Sequence, residues 1–478
     1  MQITRHTPKR FWLTSLPLLM SLTACVSVGP DFQRPASGAP ERFFNADSAT
    51  AASPSLANWW RSLGDPVLEK LVDEALKNSL SQQNAIAKVE EARARRGLQS
   101  AQQGPSLNTS LDASRSSTRT DTSHSDSNKY GAGLDASWEL DLFGGKRRAL
   151  ESAEAALAAT QADLEASRVS LAAEVATNYL SLRSDEARLI VAQTSLASRE
   201  KTLQLTKWRN EARIVSALEV NQAASSLEQA RASVPSLQRS IEEDRIALAI
   251  LLGRTRADIE ALLPTTPSTA SVPATLASGI PADTLRQRPD VRAAEYRYAA
   301  QTAQIGVAQA ARYPAFKLSG SLGVEALTPA GLIRGDTITS SLLGSLTAPL
   351  FDAGRISQNI AIQNAVQTQT LLTYRSTVIQ ALADVEKALN ANRRSQERLE
   401  ILRNAASTAS EAARLALIRY QTGQTDLLTV LDAQRTQLTQ DDQLASAQGD
   451  RLAAVVQLYK ALGGGWQATE ETELEGKK

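Results

Sequence analysis

The side chain best placed for a defined chemistry is the thiol of Cys25, at the end of the run Leu22-Thr23-Ala24-Cys25. Ahead of it lie a basic start with Arg5, Lys9 and Arg10, an apolar stretch from Phe11 to Leu22, and then small residues, the pattern of a secretory signal over residues 1–24. At about 12 residues the stretch is too short to span a bilayer. The four-residue run resembles a bacterial lipobox, in which small residues let a peptidase reach the bond before the cysteine. The thiol would then carry diacylglycerol and the freed amine a third acyl chain; two or three chains hold a protein at a membrane where one does not. Val26, in place of an aspartate, favours sorting to the outer membrane. The competing reading is an ordinary signal cut beside an incidental cysteine. The chain has no second cysteine to make Cys25 one of many, and none with which to form an intrachain disulfide.

Other chemistries find few residues to work with. His6, Met1 and Met20 all fall in the signal, so the chain beyond residue 24 holds one histidine, His124, and no methionine. That excludes the usual histidine clusters of zinc sites and Met-rich copper sites. Phe143-Gly144-Gly145-Lys146-Arg147 faintly resembles a phosphate loop but lacks the Gly-x4-Gly-Lys-Ser/Thr spacing, and reads as a strand-to-helix turn. Arg288-Pro289-Asp290 reads as a helix start. Acidic residues are many, yet none are paired for acid–base work, and there is no serine-nucleophile elbow. No active site and no cofactor are expected. With 52 Lys+Arg against 51 Asp+Glu the net charge is +1, and loss of the three signal cations takes it to −2. Such a balance gives no electrostatic case for nucleic acid. At 478 residues the length prior allows roughly three globular units, but 42% hydrophobic and 4% aromatic residues are thin filling for several compact cores.

The elements that must carry these residues come in two copies. Leu142-Phe143-Gly144-Gly145-Lys146-Arg147 is echoed by Leu350-Phe351-Asp352-Ala353-Gly354-Arg355 at an offset of 208. Leu218, Val220 and Ala223 fall opposite Leu428, Val430 and Ala433 at an offset of 210. These matches predict a duplication with halves over 66–253 and 281–462, joined by a Pro/Ser/Thr-rich connector at 264–281. Each half holds a long run without Gly or Pro, 146–234 and 355–422. The second, if one helix, is about 100 Å long. Val378, Ile379, Leu382, Val385 and Leu389 form a narrow stripe at steps of three and four, suited to coiled-coil packing against neighbours.

Before each long helix stand two segments of period two. In the first half they run over about 107–116 and 130–140, in the second over about 316–324 and 338–349, where Leu343 breaks the polar face. Each is about the length of a tilted membrane-crossing strand. Polar loops, such as Ser116 to Lys129, are expected to join them, with His124 in that loop. Tyr130, Trp138, Phe143, Tyr313, Phe316 and Phe351 sit near strand ends, where an aromatic girdle belongs. Alternation alone allows two hairpins in a soluble sheet with one dry face; export and lipidation favour membrane strands. Four spanning strands would leave two open edges in lipid, which is prohibitively costly, so the edges must close against other copies. Two copies would give eight strands and three would give twelve.

Several runs together carry a family resemblance: Cys25 followed by GPDFQRP (29–35), Trp59-Trp60 with DPVLEKLVDEAL (65–76), LRQRPDVRAAE (285–295) with IGVAQAARYPAF (305–316), and RYQTGQTDLLTVLDAQR (419–435). The chain resembles the TolC-like outer-membrane efflux channels, in the lipoprotein branch that partners resistance-nodulation-division pumps. The resemblance implies a fold mainly α with β: a homotrimer whose four-stranded contributions make a twelve-stranded transmembrane β-barrel, continued by a long periplasmic α-helical barrel. It implies a lipid-anchored arm over 25–65, a connector over 254–280 within an equatorial belt, and a tail over 463–478. The function implied is passive conduction from an inner-membrane pump of that class and a periplasmic adaptor to the outside. The partners are then those two proteins, sister copies and outer-membrane lipid. The rival reading is a periplasmic coiled-coil scaffold or adaptor lipoprotein.

In this family the periplasmic tip closes like an iris lined by acids. Asp432 matches the pore-lining aspartate of the LLDAQ-like stretch, Asp426 is a second candidate, and Tyr420 matches a tyrosine that latches neighbouring coils. Three copies of one carboxylate in a narrow pore would repel one another and attract cations; both aspartates also suit simple helix-start capping. Gly423 permits the reversal between helices, whereas the equivalent turn of the first half carries Arg213 where glycine is usual. The substrate is not legible in the residues.

Overall fold

The structure is a computed structural model that describes residues 27–36, 43–44, 56–263, 270–273, 282–335 and 337–465. Cys25 lies outside the described residues. The chain divides into two compact units.

The first unit comprises Ser27–Gln33 of the described amino-terminal residues together with Arg95–Glu154 and Ala299–Thr368. It holds one antiparallel sheet in the order β1-β2-β3-β4: β1 Ser106–Arg119, β2 His124–Leu140, β3 Ala315–Ala326 and β4 Thr337–Thr347. All four strands join helical chain at the same end of the sheet. The helices there are α2 (Leu80–Ala101) before β1, α3 (Gly145–Glu211) after β2, α6 (Pro289–Ala310) before β3 and α8 (Arg355–Gln421) after β4. The hairpin connections occupy the other end. Gly144 turns the chain from β2 into α3 with a φ of 80°, as expected of a strand-to-helix turn. On the matching turn Asp352 caps α8 by accepting from the Gly354 and Ile356 amides at 2.9 and 2.8 Å.

Two sequence expectations about the first hairpin are corrected. The loop expected from Ser116 to Lys129 is only Thr120–Ser123, because the strands stay paired out to Arg119↔His124. His124 is therefore the first residue of β2 rather than a loop residue. Alternation fades beyond Ala113 because both faces turn polar, but the backbone ladder does not depend on side-chain polarity, and Ser and Thr tolerate extended chain.

The second unit comprises the rest of the described chain, Arg34–Ala94, Ala155–Tyr298 and the residues from Gln369 onward. Its helices α1 (Pro66–Asn78), α4 (Ala217–Leu252), α5 (Arg256–Leu262) and α9 (Leu427–Ala461) pack with the adjoining parts of α3 and α8. Helix α8 runs nearly the full breaker-free stretch predicted for it. The stretch 146–234 does not: the chain reverses between Glu211 and Ala217, and α4 then continues straight through Pro235. Breaker counting misplaced both features. Arg213 adopts the left-handed backbone that normally marks a glycine, and the proline, well inside α4, takes the fixed φ a helix already has.

The larger of two buried apolar clusters in this unit gathers around its tryptophans. Trp59 stacks on Tyr459 at 5.4 Å and meets Trp60 edge-on at 5.9 Å. Asp65 caps α1 through the Val67 amide at 2.9 Å and accepts a bond of 2.7 Å from the buried Tyr179 hydroxyl, whose pKa burial pushes up. Val378, Val385 and Leu389 of the predicted stripe are buried here and Leu382 packs against them, whereas Ile379 is 66% exposed and lies off the core face. Arg288, at the predicted helix start, donates to the Ala461 carbonyl and pairs with Asp290, both at 2.7 Å.

Candidate channel wall, anchor junction and periplasmic turn

The register of the sheet sorts its side chains into two faces of unlike chemistry. One carries the rows Leu111–Ala132–Val324–Ile338, Leu107–Ala136–Gly320–Leu342 and Leu140–Phe316–Leu346. The other carries Ser110–Gly133–Gly323–Thr339, Asn108–Asp135–Ser321–Ser341 and Glu139–Lys317–Ser345. The apolar face is bare: Leu111, Leu342 and Ile338 are 82%, 79% and 70% exposed. Exposing leucine rows on a water-soluble sheet is costly at about 25 cal/mol per Å². The apolar rows extend from Tyr130 to Leu140, about 34 Å along the strand, or about 26 Å of membrane at the roughly 40° tilt of a barrel strand. Leu343 does break the polar face, as its position in the alternation predicts.

Two glycines on the polar face sit tightly against the neighbouring strand. A Cβ on Gly131 would come within 2.6 Å of Asp112 Oδ1, and one on Gly323 within 3.0 Å of the Ala132 carbonyl oxygen. Glycines on the apolar face, Gly320 and Gly344, have 3.5 Å or more. Among the described residues strands β1 and β4 each pair on one side only. A strip with a polar side, an apolar side and two open edges has the makings of a barrel-wall segment.

At the helical end of this wall the chain's amino-terminal residues are threaded in. The Val28 amide donates to the Phe143 carbonyl at 3.2 Å. Buried Arg148 donates to the Val28 carbonyl at 3.1 Å and pairs with Asp31 at 2.6 Å and Glu151 at 2.8 Å. The close crossing needs two glycines: Gly29, at φ 100°, would place a Cβ 2.4 Å from the Gly306 Cα. Beside it Phe143 and Tyr313 stack at 4.6 Å, where a girdle is expected. Trp138 donates to the Gln103 carbonyl at 2.8 Å, while Phe351 is 91% exposed.

The candidate gate residues sit at the two helix reversals. At the second, the Gly423 amide donates to the Tyr420 carbonyl at 3.0 Å and the Gln424 amide to the Arg419 carbonyl at 2.8 Å. At the first, Arg213 donates to Asn210 at 2.8 Å and Ile214 to Arg209 at 2.8 Å. Arg213 has φ 57° where Gly423 has 75°, so the arginine keeps the turn and bears the left-handed backbone. The two reversals are one motif written twice.

Tyr420 is buried among Ala223, Ala416, Leu427 and Val430 of its own chain. Its hydroxyl lies 3.4 Å from Thr206 Oγ1. Arg209, which sequence reasoning overlooked, stands 4.5 Å over its ring and donates to its carbonyl at 2.5 Å. The available signal was its match to Arg419 at the same offset of 210. Asp426 caps α9, accepting from the Thr429 amide at 2.9 Å and hydroxyl at 2.6 Å, and these bonds hold its carboxyl below the usual range. Thr429 thus has a local partner.

Asp432 is exposed and pairs with Arg435 at 2.5 Å. It borders two grooves. One, between α4 and α9, is lined by Arg199, Gln222, Ser226 and Arg435; the other, between α8 and α9, by Arg419 and Thr429. Arg199 is buried there on the Ser226 carbonyl at 3.0 Å, and burial with Arg435 nearby pulls its pKa down. Tyr420 and Asp426 thus serve one turn from within the protomer, while Asp432 presents an accessible carboxylate. Among the described residues no group of three or more His, Cys, Asp or Glu could hold a metal ion.

A sheet with one bare apolar face and two open edges, in one chain with helices of 67 residues, is the pattern of a membrane-channel protomer. The chain belongs to the outer membrane efflux protein family, whose model matches twice, over 71–254 and 280–464. It is 34% identical to the pyoverdine export outer membrane protein OpmQ of Pseudomonas putida, over 99% of this chain and 100% of that one. It is 32% identical to the outer membrane protein OprJ of Pseudomonas aeruginosa, over 95% of this chain and 96% of that one. The solved outer-membrane channel OprN superposes with a TM-score of 0.85 at 33% identity, covering 92% of this chain and 99% of that one. The CmeC channel of Campylobacter jejuni gives 0.87 at 25% identity, over 93% and 96%. The chain is the outer-membrane channel component of an efflux system, with a helical barrel and a β-barrel.

Proposed function

We propose that the chain works as a lipid-anchored homotrimer. Three four-stranded segments close a twelve-stranded wall, and the resulting duct passively receives substrate from a periplasmic adaptor and an inner-membrane pump of the resistance-nodulation-division class. The observation that carries the assembly is the pair of unpaired strand edges on a sheet with one apolar face: in lipid every ladder hydrogen bond must be made, and β4 of one copy has only β1 of the next to pair with. Energy comes from the pump, and the duct supplies a path. Its polar face, with Ser110, Ser321 and Thr339, fits passage of chemically unlike solutes. Relatives named for pyoverdine export and for toluene efflux agree with a permissive lining.

Acylation at Cys25 is supported by where its neighbours lie. Ser27, two residues on, packs against the Gly144 turn at the helical end of the wall, so that a Cβ on Gly144 would come within 2.7 Å of the Ser27 Cα. Signal removal at 24, a belt around the connector 254–280, and a constriction at the tip formed by Tyr420, Asp426 and Asp432 belong to the same proposal.

The test is the state of the purified protein in SDS. A closed trimeric barrel migrates unboiled as a heat-modifiable trimer and conducts when reconstituted, and its amino-terminal peptide carries the mass of the acyl groups. A boiling-independent monomer that leaves planar bilayers silent would refute the duct and favour a periplasmic scaffold.

A further inference from the structure

The β1–β2 hairpin outgrows the rest of the sheet. Strands β2 and β3 stop pairing at Tyr130↔Ala326, beyond which helix α7 (Pro329–Arg334) lies on the way to β4. Strands β1 and β2 stay paired well past that row, out to Arg119↔His124.

The unbroken register carries both faces of the sheet into this extension. On the face that bears Leu107, Leu111 and Ala113 come Arg115↔Asn128, Ser117↔Asp126 and Arg119↔His124. On the face that bears Ser110 and Asp112 come Ser114↔Lys129, Ser116↔Ser127 and Thr118↔Ser125, and Lys129 is paired with Glu325 at 2.9 Å. A hairpin that only stood in water would have no reason to sort its charges. Here both arginines continue the apolar face, while the other face is serine and threonine apart from the paired Lys129.

Their partners leave the arginines open. Asp126, the acid on this face of the extension, meets Arg115 Nη2 at 3.3 Å and His124 Nε2 at 3.3 Å, and the Arg115 side chain is still 71% exposed. Arg119 is exposed and makes no ion pair among the described residues. Two guanidinium groups thus stand over one carboxylate.

Depth decides what they face. At about 3.4 Å per residue and a tilt of about 40°, Arg115 lies about 5 Å beyond the last apolar row, Ala113↔Tyr130, and Arg119 about 15 Å beyond it. A phospholipid headgroup layer is about 5–8 Å deep, which reaches Arg115 and falls short of Arg119. We propose that this face docks the lipopolysaccharide of the outer leaflet, with Arg115 on a phosphate of the acylated sugars and Arg119 on an acidic group of the sugars next in line. A glycolipid with anionic groups at two depths spans the roughly 10 Å between the arginines. The planar guanidinium suits phosphate and carboxylate alike. The proposal rests on the reading of the apolar face as the lipid face.

The experiment titrates labelled full-length protein in detergent with purified deep-rough lipopolysaccharide, which keeps the phosphates and innermost acidic sugars, and separately with phosphatidylglycerol, following thermophoresis. Arg115→Gln combined with Arg119→Gln is compared with Arg394→Gln combined with Arg403→Gln, two exposed arginines of α8 whose loss changes the charge equally. The unsubstituted chain should prefer lipopolysaccharide. Its apparent Kd should rise about fivefold or more in the first pair and less than about twofold in the second. An unchanged Kd in the first pair, an equal loss in the second, or equal binding of phosphatidylglycerol overturns the docking face. A nitroxide at Leu111→Cys in reconstituted vesicles, with any signal from the unsubstituted chain subtracted, separates the two readings. Relaxation by oxygen above that by a water-soluble nickel chelate upholds the wall, so that a failed titration then counts against the docking face alone. A water-like ratio overturns the wall and the docking face with it.

Discussion

Replacing Tyr420 by phenylalanine and by alanine should give sharply different proteins. The ring is 1% exposed and shares a cluster with Ala223, Ala416, Leu427 and Val430. Its hydroxyl contact with Thr206 is long at 3.4 Å, and Thr206 is already bonded to the Thr202 carbonyl at 2.8 Å. Tyr420→Phe therefore removes one weak bond and costs about 0–1 kcal/mol. Tyr420→Ala empties a buried site, at about 3–5 kcal/mol, and removes the face that Arg209 covers, at about 1 kcal/mol more. A long two-unit channel does not unfold in one step, so the loss is local and is best read by amide hydrogen exchange across the two reversals. Exchange over 205–224 and 414–432 should accelerate by about 700-fold to 20,000-fold in Tyr420→Ala and by less than about fivefold in Tyr420→Phe. The leak of the reconstituted resting channel should rise in the alanine variant alone. Equal loosening in both variants would mean that the hydroxyl carries the contact, and an unperturbed alanine variant would mean the cluster holds nothing; either refutes the packing argument.

Arg213→Gly should stabilise its reversal by up to about 1 kcal/mol, because left-handed backbone costs a non-glycine residue about 1–2 kcal/mol and glycine's extra freedom when unfolded returns about 0.5–1; slower exchange at 212–216 would register the gain, and faster exchange would contradict it. Asp432→Ala should reduce the cation preference of the reconstituted channel, and unchanged selectivity and conductance would remove Asp432 from the pore. Burial pushes the Asp244 carboxyl up to about 6, assisted by Asp185 and Glu243 and opposed by a bond to Ser181. Its folded pKa exceeds its unfolded value of about 3.9, so its favourable contribution is complete below pH 4 and is lost as pH rises through 6. The free energy of opening where Ser181 of α3 meets Asp244, read as exchange protection corrected for the intrinsic rate at each pH, should therefore fall from pH 5 to pH 7.5, and Asp244→Asn should abolish that fall; an unchanged fall in the variant would exclude Asp244 as its source.

Periodicity made the wall and the long helices legible, because each is written in every residue of its stretch. Leu107, Leu111, Leu134 and Leu322 declare an apolar face by alternation alone, and the run 355–422 declares a helix by what it omits. The echo at 208–210 placed the two reversals opposite each other, and the count of four strands already demanded further copies. Features that depend on one residue's conformation or on a partner far along the chain were not legible. Nothing in the local sequence says that Arg213 adopts a glycine's backbone, that strand pairing outlasts alternation by six residues to Arg119, or that Arg209 crosses to Tyr420. Asp426 and Asp432 look alike as two acids near a helix start. Only the folded chain separates them, since a capping carboxylate must face back to the Thr429 amide while the other, nearly two turns on, points away from its own backbone and out to solvent.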